Sequence, residues 1–235
     1  MNLVMFDMDG TLTDGFALEE NCYVRAIEQA LDLPGVRTDW ESYPHTTATY
    51  CLDTIVRAAR GHPPTPAESR AVQQRMIGLM DDVTHRTGRR TREIPGAAAA
   101  LRKLQERGLA VAIASGDWES TARHKLAAAG IPIEGLPSAF SDVAHARTEI
   151  MRTALARAAA HHGGAAFERI VYLGDASWDV RACRELAWPL VCIGDGVAAR
   201  QLQALGATRV IPDYRDFDAV LAAIEQASAP RAANS

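Results

Sequence analysis

The sequence predicts an α/β protein: a parallel sheet with helices on both faces, interrupted close to its start by an all-helical insert. Three observations carry this. From Ile94 onward, short apolar runs alternate with helical patterns, which is how a parallel sheet is written in a chain. Between Gly15 and Glu93 only helical patterns occur. Three apolar runs, far apart in sequence, end in the polar residues Asp7, Ser115 and Asp175. In sheets of this kind ligands sit beyond the carboxyl ends of the strands, so these residues are predicted to meet in one place.

The first run is Leu3-Val4-Met5-Phe6, followed by Asp7, Asp9, Gly10 and Thr11. Two acids at the edge of a buried strand are costly unless a cation or hydrogen-bond donors meet them. Residues two apart at a strand end point to the same side, so the carboxylates of Asp7 and Asp9 are expected to share a pocket. Three helices follow in the insert. Leu18, Cys22, Ile27 and Leu31 set the first, over 16–31. Tyr50, Leu52, Ile55 and Val56 set the second, over 46–60, with Thr46 or Thr47 as its cap. Val72, Met76, Ile77, Leu79 and Met80 set the third, over 68–80. Trp40 to His45 reads as a loop, and the proline-rich run 61–66 stops the second helix.

After Ile94-Pro95-Gly96, an alanine-rich helix over 97–107 leads into a strand over 109–114 that ends in Ser115-Gly116-Asp117. A hydroxyl and adjacent backbone N–H groups there suit a phosphate oxygen; Asp117 also suits the cap of the next helix, over 119–129. A third strand is expected to end near Phe140-Ser141-Asp142. A long helix opens near Ala144 and runs to about His161. Arg169 to Leu173 is the next strand, ending in Gly174-Asp175-Ala176-Ser177-Trp178-Asp179. Four carboxylates converging without a cation would repel strongly, and hard oxygen ligands favour Mg²⁺. Leu190 to Ile193 and Val210-Ile211 read as the last strands, a helix starts near Asp216, and 228–235 reads as a frayed tail.

The bulk properties narrow the function. The chain has 235 residues, 48% of them hydrophobic, which suits a folded core of one or two domains. A net charge of −4 gives no reason to expect nucleic acid or an anionic membrane as a partner. No run is long and apolar enough for a membrane span, and no signal-peptide pattern is visible. Cys22, Cys51, Cys183 and Cys192 lack metal or redox spacing and are read as reduced thiols of a cytoplasmic protein.

Asp7-x-Asp9-Gly10-Thr11 after an apolar strand, Ser115 at the end of another, and Gly174-Asp175-x-x-x-Asp179 resemble three motifs of the haloacid dehalogenase (HAD) superfamily. With it comes an expected architecture: a Rossmann-like core over 1–15 and 94–235 and a helical C1-type cap over 16–93. The family's third motif is a basic residue at a helix start. Arg147 takes that position, with His145 as the alternative, and the common Lys-Pro form is absent. The resemblance implies Asp7 as nucleophile, Asp9 as general acid and base, Thr11, Ser115, Gly116 and Arg147 as phosphate-binding groups, and Asp7, Asp9, Asp175 and Asp179 as Mg²⁺ ligands, Asp9 through its backbone carbonyl. Arg25, Tyr43, His45 and Thr46 are the cap's candidate specificity residues.

The only lysines are Lys103 and Lys125; the cap has none, which sets the chain apart from phosphonatase-type relatives that form a Schiff base there. An acid at position 9 favours phosphoryl transfer over dehalogenation, whose leaving halide needs no proton. The expected activity is hydrolysis of a small phosphorylated metabolite, by a monomer or homodimer similar to the phosphoglycolate phosphatase and β-phosphoglucomutase group. A sugar phosphomutase and a catalytically silent binding protein are the alternatives.

Overall fold

The structure, a computed structural model that describes residues 1–231, gathers the expected apolar runs into one sheet. Strand β1 (Asn2–Phe6) leads through a two-residue strand β2 (Thr13–Asp14) to helices α1 (Phe16–Leu31), α2 (Ala48–Arg60) and α3 (Pro66–Thr87). A second two-residue strand β3 (Arg92–Glu93) precedes α4 (Ala97–Glu106), β4 (Ala110–Ala114), α5 (Glu119–Ala129), β5 (Ser138–Ala139) and α6 (Arg147–His161). Then come β6 (Arg169–Gly174), α7 (Ser177–Leu186), β7 (Leu190–Ile193), α8 (Gly196–Ala204), β8 (Val210–Ile211) and α9 (Phe217–Gln226). No helix among the described residues is long and apolar enough to cross a membrane.

The parallel sheet has the order β5-β4-β1-β6-β7-β8. The first strand is therefore central, with Leu3 level with Ala110 on one side and Ile170 on the other. Alternation along β1 explains the layers. Val4 and Phe6 face a core built with α4, α5 and α9. Leu3 and Met5 face a second core built with α6 and α7. The chain order reverses on either side of β1, so its carboxyl end, where Asp7 begins, is the switch point at which such sheets bind ligands.

The insert has its own apolar cluster, including Ile27, Leu52, Val56, Val72 and Leu79. Trp118, at the carboxyl end of the sheet, packs into the same cluster. Polar contacts tie insert to core: the Ala48 N–H donates to Gly116 O at 2.7 Å, Thr47 Oγ1 to His145 O at 2.8 Å, and Ser177 Oγ to Glu41 Oε1 at 2.5 Å.

Several expectations change. A strand does occur in the insert: β3, at its far edge, pairs antiparallel with β2, so the two chain crossings between insert and core form a small ribbon. Helix α3 is longer than the apolar pattern at both ends: a reciprocal Thr65–Glu68 capping box with Pro66 in the first turn starts it, and Gly88, in the left-handed region, stops it. Thr47 is the N-cap of α2, but its hydroxyl is spent on His145 O. The N-cap of α5 is Trp118 and not Asp117, whose carboxylate accepts from the Trp118 N–H and from Thr121 Oγ1. The third strand closes at Ala139, just ahead of Phe140-Ser141-Asp142. The start of the supposed tail is anchored: Ser228 O accepts from the Leu190 N–H and the Arg231 N–H donates to Gly206 O. Residues 232–235 lie outside the described residues.

Candidate active site

The loop after β1 is tight because the N–H groups of Leu12 and Thr13 both turn back to Met8 O. Gly10 adopts φ +79°, and a side chain there would sit 2.0 Å from Asp175 Oδ2. Glycine at this position is what lets the Asp7 loop and the Asp175 loop touch. Thr11 Oγ1 then donates to Asp175 Oδ1 at 3.1 Å.

Asp7, Asp175 and Asp179 come together, with one carboxylate oxygen from each lying within 4.8 Å of the others. Asp179 Oδ2 accepts the N–H groups of Asp175 and Ala176 at 3.1 and 3.0 Å, which fixes its carboxylate at the start of α7. Its other oxygen is buried and meets the Arg147 guanidinium as an ion pair without a well-aligned hydrogen bond. Arg147, the first residue of α6, is buried and places Nη1 3.1 Å from Asp7 Oδ1 and 3.2 Å from Asp179 Oδ1. Three carboxylates against one guanidinium leave an excess of negative charge in a buried place. Burial accordingly pushes Asp7 up to about 6 despite Arg147, and raises Asp175 and Asp179 as well, with their mutual repulsion adding to Asp175. Three converging sets of hard carboxylate oxygens with only one guanidinium to balance them suit a divalent cation.

Asp9 does not join that trio. Its carboxylate turns to Lys125, whose Nζ lies 2.5 Å from Asp9 Oδ2, 2.7 Å from Asp117 Oδ2 and 3.3 Å from Glu19 Oε2. Lys125 is 2% exposed. Burial opposes its charge, but Asp117, Asp9 and Glu19 outweigh it and hold the ammonium well above its ordinary pKa. Burial against these neighbours raises Asp9 to about 7, even though Lys125 pulls the other way. Glu19 Oε1 also accepts from Thr91 Oγ1 at 2.6 Å. The cluster therefore runs from the Asp9 loop into both crossings between insert and core.

A cavity of about 320 Å³ opens onto both acid groups. Asp7, Asp9, Ser115, Gly116, Arg147 and Asp175 line it, and so does Thr46 from the insert. Gly116 is there for close approach: a side chain would meet Arg147 Nη2 at 2.8 Å and Thr46 O at 3.1 Å. Thr11 and Asp179 stand behind the lining. Arg25, Tyr43 and His45 are not among the lining residues; Tyr43 packs on Trp40 and His45 edge-on against Tyr50. His145 is exposed, its ring against Tyr50, so Arg147 and not His145 reaches the carboxylates.

The model of the haloacid dehalogenase-like hydrolases matches residues 1–186. The chain belongs to this family of hydrolases. Among solved structures, this HAD hydrolase resembles a hydrolase from Pseudomonas syringae at 23% identity and a TM-score of 0.70, over 97% of this chain and 100% of that one. It also resembles CbbY from Rhodobacter sphaeroides, solved with phosphate, at 20% identity and a TM-score of 0.70, over 95% of this chain and 98% of that one. The β-phosphoglucomutase of Clostridium difficile matches at 15% identity and a TM-score of 0.65, over 95% of this chain and 97% of that one. At these identities the likeness speaks for the fold. A search of curated proteins gave no match.

The sequence reading passed over Lys125, Glu19 and the aromatic side of the cavity. A signal existed for the first two. Thr121, Ala122, Lys125 and Leu126 form the inward stripe of α5, and Glu19, Cys22, Tyr23 and Ala26 that of α1. A lysine and a glutamate, each on the buried stripe of a separate helix, call for one another.

Proposed function

We propose that this HAD hydrolase is a Mg²⁺-dependent phosphatase of small phosphomonoesters, with residues 16–93 acting as its cap. The observation that carries the reading is the division of labour between Asp7 and Asp9. Two residues apart on one loop, they face one cavity from different electrostatic settings: Asp7 beside two more carboxylates and an arginine, Asp9 against a buried lysine. Asp7 is set up to stay ionised once a cation is present, while burial, against the pull of Lys125, keeps a proton on Asp9 near neutral pH. Two acids with separated tasks are what a nucleophile and a general acid need.

Asp7, Asp175 and Asp179, with the backbone carbonyl of Asp9, would hold Mg²⁺, which when bound supplies charge neutralisation for the incoming phosphoryl group. A carboxylate oxygen of Asp7 attacks phosphorus, and the ester P–O bond breaks as the new P–O bond forms. Asp9 gives its proton to the departing alkoxide oxygen. Water then attacks phosphorus of the aspartyl-phosphate, passing a proton back to Asp9 and releasing inorganic phosphate. Arg147, the Ser115 hydroxyl and the backbone around Gly116 bind the phosphoryl oxygens as charge develops on them. Thr11 is assigned to orienting Asp175, to which its hydroxyl is already committed. Thr46 is the insert residue assigned to substrate contact.

The test is phosphate release from a panel of phosphomonoesters with Mg²⁺, by the parent protein and by Asp7→Asn. The parent is expected to turn over and the variant to lose at least about 10³-fold, roughly 4 kcal/mol of barrier, with its thermal unfolding transition retained. A variant within about tenfold of the parent would show that Asp7 is not the nucleophile.

A further inference from the structure

We infer that the substrate is a monophosphate ester whose alcohol half is apolar and carries no negative charge. This rests on the phosphatase reading and deepens it. Six carboxylates line the cavity against two cations, Lys125 and Arg147. Both cations are already engaged. Arg147 stands on Asp7 and Asp179, where the transferred phosphoryl group belongs. Lys125 is enclosed by three carboxylates within 3.3 Å. Among the described lining residues no further cation remains for a second phosphate or a carboxylate on the leaving group.

The rest of the wall is built for apolar contact. Trp40 and Tyr23 meet edge to face at 5.7 Å, and Tyr23 in turn stacks on the buried Trp118 at 5.4 Å. Glu20 Oε1 accepts from Trp40 Nε1 at 2.5 Å, which fixes the indole and adds an acid to the wall. Met76 and Cys51 continue this side, and Trp178 contributes from the core. The cavity is at the small end of the usual range of about 300–1,000 Å³ for ligand pockets. An anion placed beyond the phosphoryl group would lose its water and meet apolar walls and carboxylates with no free cation among the described lining residues; a compact apolar or aromatic alcohol loses nothing by the same transfer. The same shortage of cations disfavours passing a phosphoryl group between the two ends of a sugar bisphosphate.

Three matched esters test this: benzyl phosphate, its 4-carboxy analogue, and the bisphosphate of 1,4-benzenedimethanol. They share one primary benzylic leaving group and differ by an added anion. With Mg²⁺, kcat/KM is expected to favour benzyl phosphate over each of the other two by at least about tenfold, most of it in KM. Glu20→Gln, which keeps an acceptor for Trp40 and removes one charge, is expected to narrow that preference a few-fold. Equal or faster turnover of either doubly anionic ester would overturn the inference. Equilibrium binding of the three esters to Asp7→Asn gives the same ranking without turnover. The phosphatase reading is decided separately, by the wider panel of phosphomonoesters; if none of the three is hydrolysed, binding still decides the charge preference: tighter binding of benzyl phosphate supports it, and tighter binding of an anionic analogue overturns it.

Discussion

Two groups of three carboxylates flank the same cavity, Asp179 from behind its lining, and they are completed differently. Asp7, Asp175 and Asp179 have one arginine among them, which reaches Asp7 and Asp179. Asp9, Glu19 and Asp117 surround a lysine that the chain carries itself. The first group is short of positive charge and open to a cation from solution. The second is closed around a permanent one. A resident cation cannot leave, so it fixes geometry and charge; an exchangeable one adds charge only when loaded. On the proposed reading, the general acid Asp9 sits beside the permanent cation and holds its proton through burial, while the nucleophile Asp7 sits beside the exchangeable one.

Removing the permanent cation should break this contrast most severely. Lys125→Met leaves Asp9, Asp117 and Glu19 facing one another in a buried site. Loss of one partner of a buried ion cluster costs about 3–5 kcal/mol, to be read from the denaturation midpoint. Because Lys125 lowers Asp9, its loss should also raise the pKa of Asp9. The alkaline limb of the kcat/KM profile, where a general acid loses its proton, then moves to higher pH. Lys125→Arg should recover part of both effects. An unmoved pH profile in a folded Lys125→Met protein would separate Lys125 from the chemistry.

The exchangeable site gives the next effect, and its sign follows from burial. Asp7 is pushed up to about 6 from an ordinary 3.8. Without metal, the folded protein therefore holds a proton that the unfolded chain has already released between those values. Stability of the metal-free protein is expected to fall as pH rises through that window and then to level off. Asp9, at about 7, extends the fall toward neutrality. A divalent cation competes with protons for Asp7, so Mg²⁺ should raise the melting temperature more at pH 8 than at pH 5, and EDTA should reverse the gain. Equal increments at both pH values would mean that the ion binds elsewhere.

The smallest effect belongs to Thr11. Thr11→Val removes one hydrogen bond to Asp175 and leaves its shape, at a cost of about 1 kcal/mol in stability. The Mg²⁺ concentration needed for half-maximal activity should rise a few-fold, with kcat at saturating Mg²⁺ nearly unchanged. A loss confined to kcat would instead point to direct phosphate contact by Thr11.

What could be read beforehand tracks how each residue is positioned. Asp7, Ser115 and Asp175 close apolar strands, and a strand's direction and end can be read from its run of residues, so their meeting at the sheet edge was visible. Arg147 was legible as a basic residue opening a helix. The β2–β3 ribbon was not, because two-residue strands leave no period to detect. Lys125 and Glu19 meet through the packing of α5 and α1, a tertiary event with no local pattern beyond a charge on an inward stripe. Of the insert candidates, Arg25 lies on α1, and Tyr43, His45 and Thr46 lie in the loop before α2, where backbone direction decides which side chains turn inward. Thr46 faces the cavity, while Trp40, in the same loop, supplies its wall.

Asp7 is proposed to carry the phosphoryl group through the reaction. Rapid acid quench during turnover, followed by borohydride reduction and peptide mass spectrometry, tests it directly, since borohydride converts an aspartyl-phosphate to homoserine. Homoserine is expected at position 7 in the presence of substrate and Mg²⁺, and none in Asp7→Asn. Homoserine at another aspartate, or full turnover with no modified residue, would contradict it.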